Sequence, residues 1–338
     1  MPLLHGFEPV GAVWLSIGVF AAAAAVSAAV LFGMLRSPLA RRVVDRPNQR
    51  SMHVVPTPRI GGLGVLAGIA APLAVLRPDL PAGLWAALAL LVAVSLADDL
   101  GGLSAALRLP LHVAAAAIAC TAIAPGLGAV WLAVATLAVA WAVNLYNFMD
   151  GLDGLAGGQA VFGFGAYALA ALHGGDLDLA WTAGATAGAA LGFLRFNFPP
   201  ARVFLGDAGS TAFGLLAGAL GLLGATRGLW PTWFPVVVFL PFVLDATLTL
   251  ALRVVGGRRF WEAHRDHAYQ RLSLMGLGHL RTTLAYYLTM GASAVAALAG
   301  RDTPGGRGVA LGLALLCTAL YAGIRLVSAS RPSADHRP

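Results

Sequence analysis

Apolar stretches long enough to cross a lipid bilayer recur from one end of this chain to the other, and that recurrence limits the fold more than any other feature. A spanning helix needs about 20 apolar residues. Eleven stretches are read as spans: 11–35, 60–77, 81–97, 109–124, 128–147, 156–173, 178–195, 208–225, 231–254, 281–300 and 307–327. Their frequent Gly and Ala suit close helix contact in lipid, where apolar transfer no longer drives association. Charged residues make up 11% of the 338, against about 25% in soluble domains, which excludes the two soluble domains that length alone would allow. The expected fold is all-α: a polytopic integral membrane helix bundle forming one domain over residues 1–338. The first stretch follows Glu8 without a preceding Arg or Lys and without a small-residue cleavage site, so a retained span is expected rather than a removed signal peptide.

All 22 Lys-plus-Arg side chains are arginines, and the net charge is +7. In a soluble protein that balance would raise the question of nucleic acid. Here the arginines crowd into particular short loops, the pattern of membrane topology, and no nucleic-acid partner is expected. With the N-terminus outside, 18 arginines fall inside and four (Arg77, Arg227, Arg301 and Arg307) fall outside, which puts the C-terminus inside. The inner loops near 36–59, 98–108, 148–155, 196–207 and 255–280 hold most of the Asp, Asn, His and Arg. The outer connections are brief and chemically bland. One face of the protein joins helices; the other carries chemistry. Cys120 and Cys317 lie far apart in apolar segments and read as packing residues rather than a disulfide or metal pair.

Four polar segments on the inner face stand out. The run Asn144, Asn147, Asp150, Gly151, Asp153, Gly154 ends the fifth span. Residues three apart share a helical face, so Asn144, Asn147 and Asp150 can converge, and more polar groups are present than a helix cap needs. Asp98 and Asp99 close the third span; adjacent carboxylates at a bilayer boundary call for a cation or a proton, unless they only stop the helix. The segment Phe204-Leu-Gly-Asp207-Ala-Gly-Ser210 opens the eighth span. Asp207 or Ser210 can cap that helix. Its free N–H groups and dipole also suit phosphate, and Asp207 can hold a hard cation. The densest segment contains Arg258, Arg259, His264, Arg265, His267 and Arg271. Its histidines lack the spacing of a zinc protease helix, and Arg and His donors fit phosphate oxygens better, with a headgroup anchor as the alternative. Arg46 to Gly62 forms a Pro-stiffened first inner loop. Asp245, inside the ninth span, reads equally as a buried partner for an arginine or as a site residue.

Together these segments resemble the polyprenyl-phosphate N-acetylhexosamine-1-phosphate transferases, of the glycosyltransferase family 4 type. The likeness runs from about Arg46 to Arg271 and rests on Pro58-Arg59-x-Gly61-Gly62, Asp98-Asp99, the Asn144 to Leu155 run, and Gly206-Asp207-x-Gly209-Ser210. It implies Mg²⁺, with Mn²⁺ as a permitted substitute, held by Asn147 and Asp207. It further implies roles for Asp98 and Asp99 in handling the carrier phosphate, Asp150 as an active-site acid, and Asp153 as the uracil-recognising residue. Arg59 would bind substrate, and the His264-Arg265-Asp266-His267 segment stands where relatives place a sugar-phosphate loop, with His264, Arg265 and His267 as its substrate-binding residues. The form of that segment is most similar to O-antigen-initiating enzymes. Relatives in peptidoglycan synthesis carry a Lys soon after the paired Asp and three consecutive His in the last loop; this chain has neither, which argues against a MurNAc-pentapeptide substrate.

The resemblance implies a bacterial inner-membrane enzyme whose site faces the cytoplasm. It would transfer N-acetylhexosamine-1-phosphate from a UDP-sugar to undecaprenyl phosphate, releasing UMP, with membrane lipids around it and a homodimer among the permitted assemblies. The carrier phosphate would attack the β-phosphorus, and since a second phosphate pKa is about 6, Asp98 need only orient it or accept a late proton. The alternative is a multi-spanning transporter or lipid flippase. Transporters bind substrate near the bilayer midplane, where this sequence has only Asp245.

Overall fold

The computed structural model describes residues 9–47, 52, 53, 55–259 and 264–329. Helix α1 (Pro9–Leu35) leads through a short α2 (Leu39–Arg42) into a small antiparallel ribbon, β1 (Val44–Asp45) and β2 (Thr57–Pro58), in which Val44 faces Pro58. Then follow α3 (Gly61–Leu76), α4 (Ala82–Gly101), α5 (Ala105–Ile123), α6 (Ala129–Met149), α7 (Leu155–His173), α8 (Leu177–Asn197) and α9 (Asp207–Thr226). The last third comprises α10 (Trp233–Val238), α11 (Leu240–Val255), a short α12 (Ala268–Leu272), α13 (Gly278–Gly300) and α14 (Gly306–Ala329). Eight of the described helices are long and apolar enough to cross a membrane, counting α12 and α13 as one through the π-turn Ser273–Leu277; α3 and the apolar part of α4 are shorter. The all-α polytopic expectation holds.

Two spans differ in detail from the sequence pattern. The expected span 231–254 is broken at Phe239 (φ −100°, ψ 16°) into α10 and α11. Pro241, at the start of α11, cannot donate to the preceding turn, and its ring crowds the carbonyl four residues back. The tenth span begins at Gly278 rather than near 281, reached through Gly276 at φ 105°.

Packing follows the small residues. Helix α8 lies against α1 so closely that a Cβ on Gly188 or Gly192 would sit 2.2 or 2.3 Å from the carbonyl oxygens of Phe20 and Ala24. Any side chain there would force the two helices apart. Tyr146, Phe164, Tyr167, Phe213, Phe239 and Phe242 interlock where α6, α7, α9 and α11 meet, mostly edge to face. That is the geometry the ring quadrupole favours. Both buried tyrosines donate to backbone carbonyls, Tyr146 to Ala156 and Tyr167 to Ala217. Trp14, Val130, Trp131, Leu288 and Leu315 are exposed, as an outer surface solvated by lipid tails permits. At one end Arg227 joins Asp176 at 2.7 Å. Asp98, Asp150, Asp153 and Asp207 lie at the opposite end, where α4, α6 and α11 finish and α3, α5, α7 and α9 begin.

Candidate active site

Two glycine-bearing loops build the floor of this end. The N–H groups of Gly61 and Gly62 donate to the carbonyls of Phe204 and Leu205 at 2.9 and 2.7 Å, and Phe204 N–H donates to Pro58 at 2.8 Å. A Cβ on Gly62 would lie 2.5 Å from the Gly209 nitrogen, so the approach tolerates no side chain. The Pro58–Gly62 and Gly206–Ser210 motifs are thus one structural unit. Their pairing sets Arg59 Nη2 3.6 Å from Asp207 Oδ1.

Asp207 is the first residue of α9, after Gly206 at φ 74°, a left-handed backbone that favours glycine. Arg108, one turn into α5, reaches two carboxylates with one nitrogen: Nη1 lies 2.6 Å from Asp98 Oδ2 and 3.2 Å from Asp207 Oδ2. Asp98 Oδ1 accepts from Leu103 N–H at 2.5 Å. From α6, Asn147 Nδ2 donates to Ser210 Oγ at 3.1 Å. Side chains of α4, α6 and α9 therefore meet around Asp207. Asp98, Asn147, Asp150 and Asp207, with Arg59, Asp153, His264 and His267, line one cavity of about 770 Å³. Arg265 is not among its lining residues. The side chain of Asp99 lies outside the described residues.

Asp150 follows the last turn of α6. Burial pushes its carboxyl well above the usual range, the Asp207 carboxylate adds to that, and Arg59 opposes it. Asp153 is held on both oxygens, Oδ2 accepting from Ala201 N–H at 3.0 Å and Oδ1 lying 3.0 Å from His279 Nδ1.

Asp245 anchors the histidine segment. It is 2% exposed and accepts from Ala268 N–H (2.8 Å), Tyr269 N–H (3.2 Å), Tyr286 OH (2.6 Å) and Thr249 OH (3.1 Å), with His267 Nδ1 at 3.4 Å. Its partners are thus a histidine, two hydroxyls and the first turn of α12; of the two roles the sequence left open, the structure shows a buried partner, though of these groups rather than of an arginine. The deepest carboxylate is satisfied within the protein and fastens the cavity wall. Next to it, Asp266 gathers Arg253, Arg271 (2.8 Å) and Arg258 (3.7 Å). Burial draws the Asp266 carboxyl up, but the Arg253 hydrogen bond and the neighbouring cations outweigh it and leave it below the usual range. His264 is pulled down to about 4 by burial, by His267 and by Arg253.

Among the lining residues that escape the sequence reading are Arg108, His112 and His279. His112 stands one turn after Arg108 on α5, with Nδ1 3.3 Å from Asn144 Oδ1. The available signal is an Arg and a His four apart at the start of an apolar helix, where a charge is costly without a partner.

The donor set bears on a metal. Among the described residues no three His, Cys, Asp or Glu side chains cluster to hold an ion by themselves. Asn147 gives its Nδ2 to Ser210, which leaves the amide oxygen for a ligand. Asp207, with Asp98 behind Arg108, adds carboxylate oxygens. Such an all-oxygen, incomplete shell fits Mg²⁺, which keeps waters and takes substrate phosphate as further ligands.

The family description glycosyl transferase family 4 matches residues 81–225. The chain is similar to the decaprenyl-phosphate N-acetylglucosaminephosphotransferase of Mycobacterium leprae (strain TN), 32% identical over 81% of this chain and 80% of that one. It is 29% identical, over 75% of its length and 78% of the other's, to the probable undecaprenyl-phosphate N-acetylglucosaminyl 1-phosphate transferase of Bacillus subtilis (strain 168). Similarity to the phospho-N-acetylmuramoyl-pentapeptide-transferase of Shouchella clausii (strain KSM-K16) is 35% over 48% of this chain and 49% of that one.

Proposed function

The chain belongs to the polyprenyl-phosphate N-acetylhexosamine-1-phosphate transferase family, and from that premise we propose that it transfers N-acetylhexosamine-1-phosphate from a UDP-sugar to undecaprenyl phosphate. UMP is released, and the product begins an O-antigen or related cell-surface polysaccharide. The names of the relatives that match most of the chain favour N-acetylglucosamine as the sugar. The observation that carries the reading is the convergence of Asp98, Asn147 and Asp207 with Arg59 and Arg108 at one membrane end of the cavity. Phosphoryl transfer needs such positioned charge and little covalent chemistry.

In this reading an oxygen of the carrier phosphate forms a bond to the β-phosphorus of the donor. The bond from that phosphorus to the bridging oxygen breaks, and the electron pair leaves with UMP. Arg59 and Arg108 supply guanidinium donors to phosphate oxygens. Asp98, ion-paired to Arg108, orients the carrier phosphate. Mg²⁺ would be held by Asn147 and Asp207 and would offset charge on the pyrophosphate. Asp150 lies beside this centre, Asp153 faces the nucleobase, and His264 with His267 border the sugar phosphate. The site faces the cytoplasm of a bacterial inner membrane.

The test is turnover by purified protein in detergent, with undecaprenyl phosphate and a panel of UDP-N-acetylhexosamines, reading UMP release and lipid product mass. Asp207→Asn is expected to reduce UMP release at least 100-fold. Turnover unchanged in that variant at saturating Mg²⁺ would remove Asp207 from the site, and absence of a sugar-phospholipid product with every donor would end the reading.

A further inference from the structure

His279, the second residue of α13, has both ring nitrogens engaged. Nδ1 lies 3.0 Å from Asp153 Oδ1, and Nε2 lies 3.0 Å from the carbonyl oxygen of Met52 in the first loop. A backbone carbonyl only accepts. A carboxylate bonded through Oδ2 to the Ala201 N–H, as Asp153 is, is likewise an acceptor at its other oxygen. A neutral imidazole has one N–H and one lone pair, so it satisfies only one of two such partners. Two acceptors on one ring call for two N–H groups, which is the imidazolium. Among the described residues, Asp45 and His53 lie 3.8 Å from one another on the first loop, and the Tyr287 hydroxyl packs on the turn that carries Asp153, donating to the Gly154 carbonyl. Arg281, two residues further along α13, is exposed. His279, Asp153 and Met52 all line the cavity.

We infer that His279 is held as an imidazolium between Asp153 and Met52, and that it and Asp153 together form a reading pair for a uracil edge. The inference rests on the uridine-nucleotide reading above and extends it from the acid to the base beside it. Uracil presents an N3–H donor flanked by two carbonyl acceptors. A carboxylate next to a cationic N–H matches donor with acceptor and acceptor with donor. The Met52 carbonyl holds the place that a base carbonyl takes when a nucleotide enters. Cytosine presents a lone pair at N3 and an amino group beside it, so it sets acceptor against carboxylate and donor against imidazolium. Such mismatched polar groups discriminate strongly in a buried site. Because His279 bridges the turn after α6 and the first loop, it also ties the position of that loop to base binding.

The experiment measures UMP and CMP binding calorimetrically with the full-length protein in detergent, for the wild type, His279→Leu and His279→Gln, at pH 6 and pH 9. The wild type is expected to prefer UMP, and to lose affinity for it at the higher pH as the imidazolium gives up its proton. His279→Leu should weaken UMP binding by about tenfold or more, the scale of a hydrogen bond to a charged group. It should narrow the preference over CMP, with the turnover defect falling on donor KM more than on kcat. His279→Gln, a neutral donor, should recover part of the affinity and keep only the pH dependence that comes from ionisation of the nucleotide itself. Unchanged UMP affinity and unchanged preference in both variants overturn the inference while leaving the uridine reading intact. A wild type that binds neither nucleotide, or prefers CMP, overturns both. If His279→Leu fails to fold, ¹⁵N imidazole shifts of the wild type decide: a neutral ring at pH 7 refutes the assignment.

Discussion

Arg108 faces Asp98 and Asp207 at once, and its guanidinium, with Arg59 at the other Asp207 oxygen, supplies positive charge that keeps two carboxylates near each other. Without it the two acids repel, as like charges at short range do. A divalent cation seated on Asp207 would relieve that repulsion. Arg108→Met is therefore expected to show a larger Mg²⁺-dependent rise in melting temperature than the wild type, and Asp207→Asn little or none. Thermal unfolding of the purified variants across a MgCl₂ titration is the check, and equal stabilisation of all three proteins would show that the ion binds elsewhere. Asp207 and Asn147 were legible in the sequence because motif and helical spacing mark them. Arg108 was not, because a lone arginine after a polar turn looks the same whether it anchors topology or bridges two acids. His279 was hidden for a related reason: its partners come from two loops more than 100 residues away, and no local pattern encodes such a meeting.

The segment from His264 through α12 hangs on two acids with opposite positions. Asp245 grips its far end from within the bundle, and Asp266 gathers arginines around its near end. Its acid sensitivity follows. His264 has its folded pKa lowered to about 4 from 6.5, so between those values the unfolded chain binds more protons than the folded one. Stability from this group is present above about pH 6.5 and is lost as pH falls toward 4. Asp266, also lowered by its arginines, continues the loss at still lower pH. His264→Gln should flatten the decline in melting temperature between pH 6.5 and 4.5, read by thermal unfolding of the substrate-free protein; a slope equal to the wild type's would place the titration elsewhere. At this scale the apolar stretches were legible as helices, since length and hydropathy mark each one. The break at Phe239 was not: hydropathy averages across a proline, and a bundle can supply partners for the backbone groups the kink leaves free. Nor was the role of Asp245, because an acid in an apolar helix looks alike whether it awaits a substrate or caps another element.

For the whole molecule, the arrangement that matters is which membrane face holds the cavity. Cytoplasmic loops carry the excess of Arg, and 18 of 22 arginines fall on the side of Asp98, Asn147 and Asp207 when the N-terminus is outside. The structure adds a reason for this bias beyond topology. Arg59 and Arg108 pair with site acids, and Arg253, Arg258 and Arg271 pair with Asp266, so the same residues that orient the chain also assemble the cavity wall. Inverting the protein would place an arginine-rich surface and its cavity outside, away from the cytosolic nucleotide-sugar that the proposed reaction would use. Single cysteines test the orientation in a background with Cys120→Ala and Cys317→Ala. Arg202 and Asp302 are exposed at opposite ends. In intact cells a membrane-impermeant maleimide should label Asp302→Cys and leave Arg202→Cys untouched, and in inverted vesicles the pattern should reverse. Labelling of Arg202→Cys from outside would turn the bundle over and, with it, deny the cavity a cytoplasmic donor, however well its carboxylates and arginines suit the chemistry.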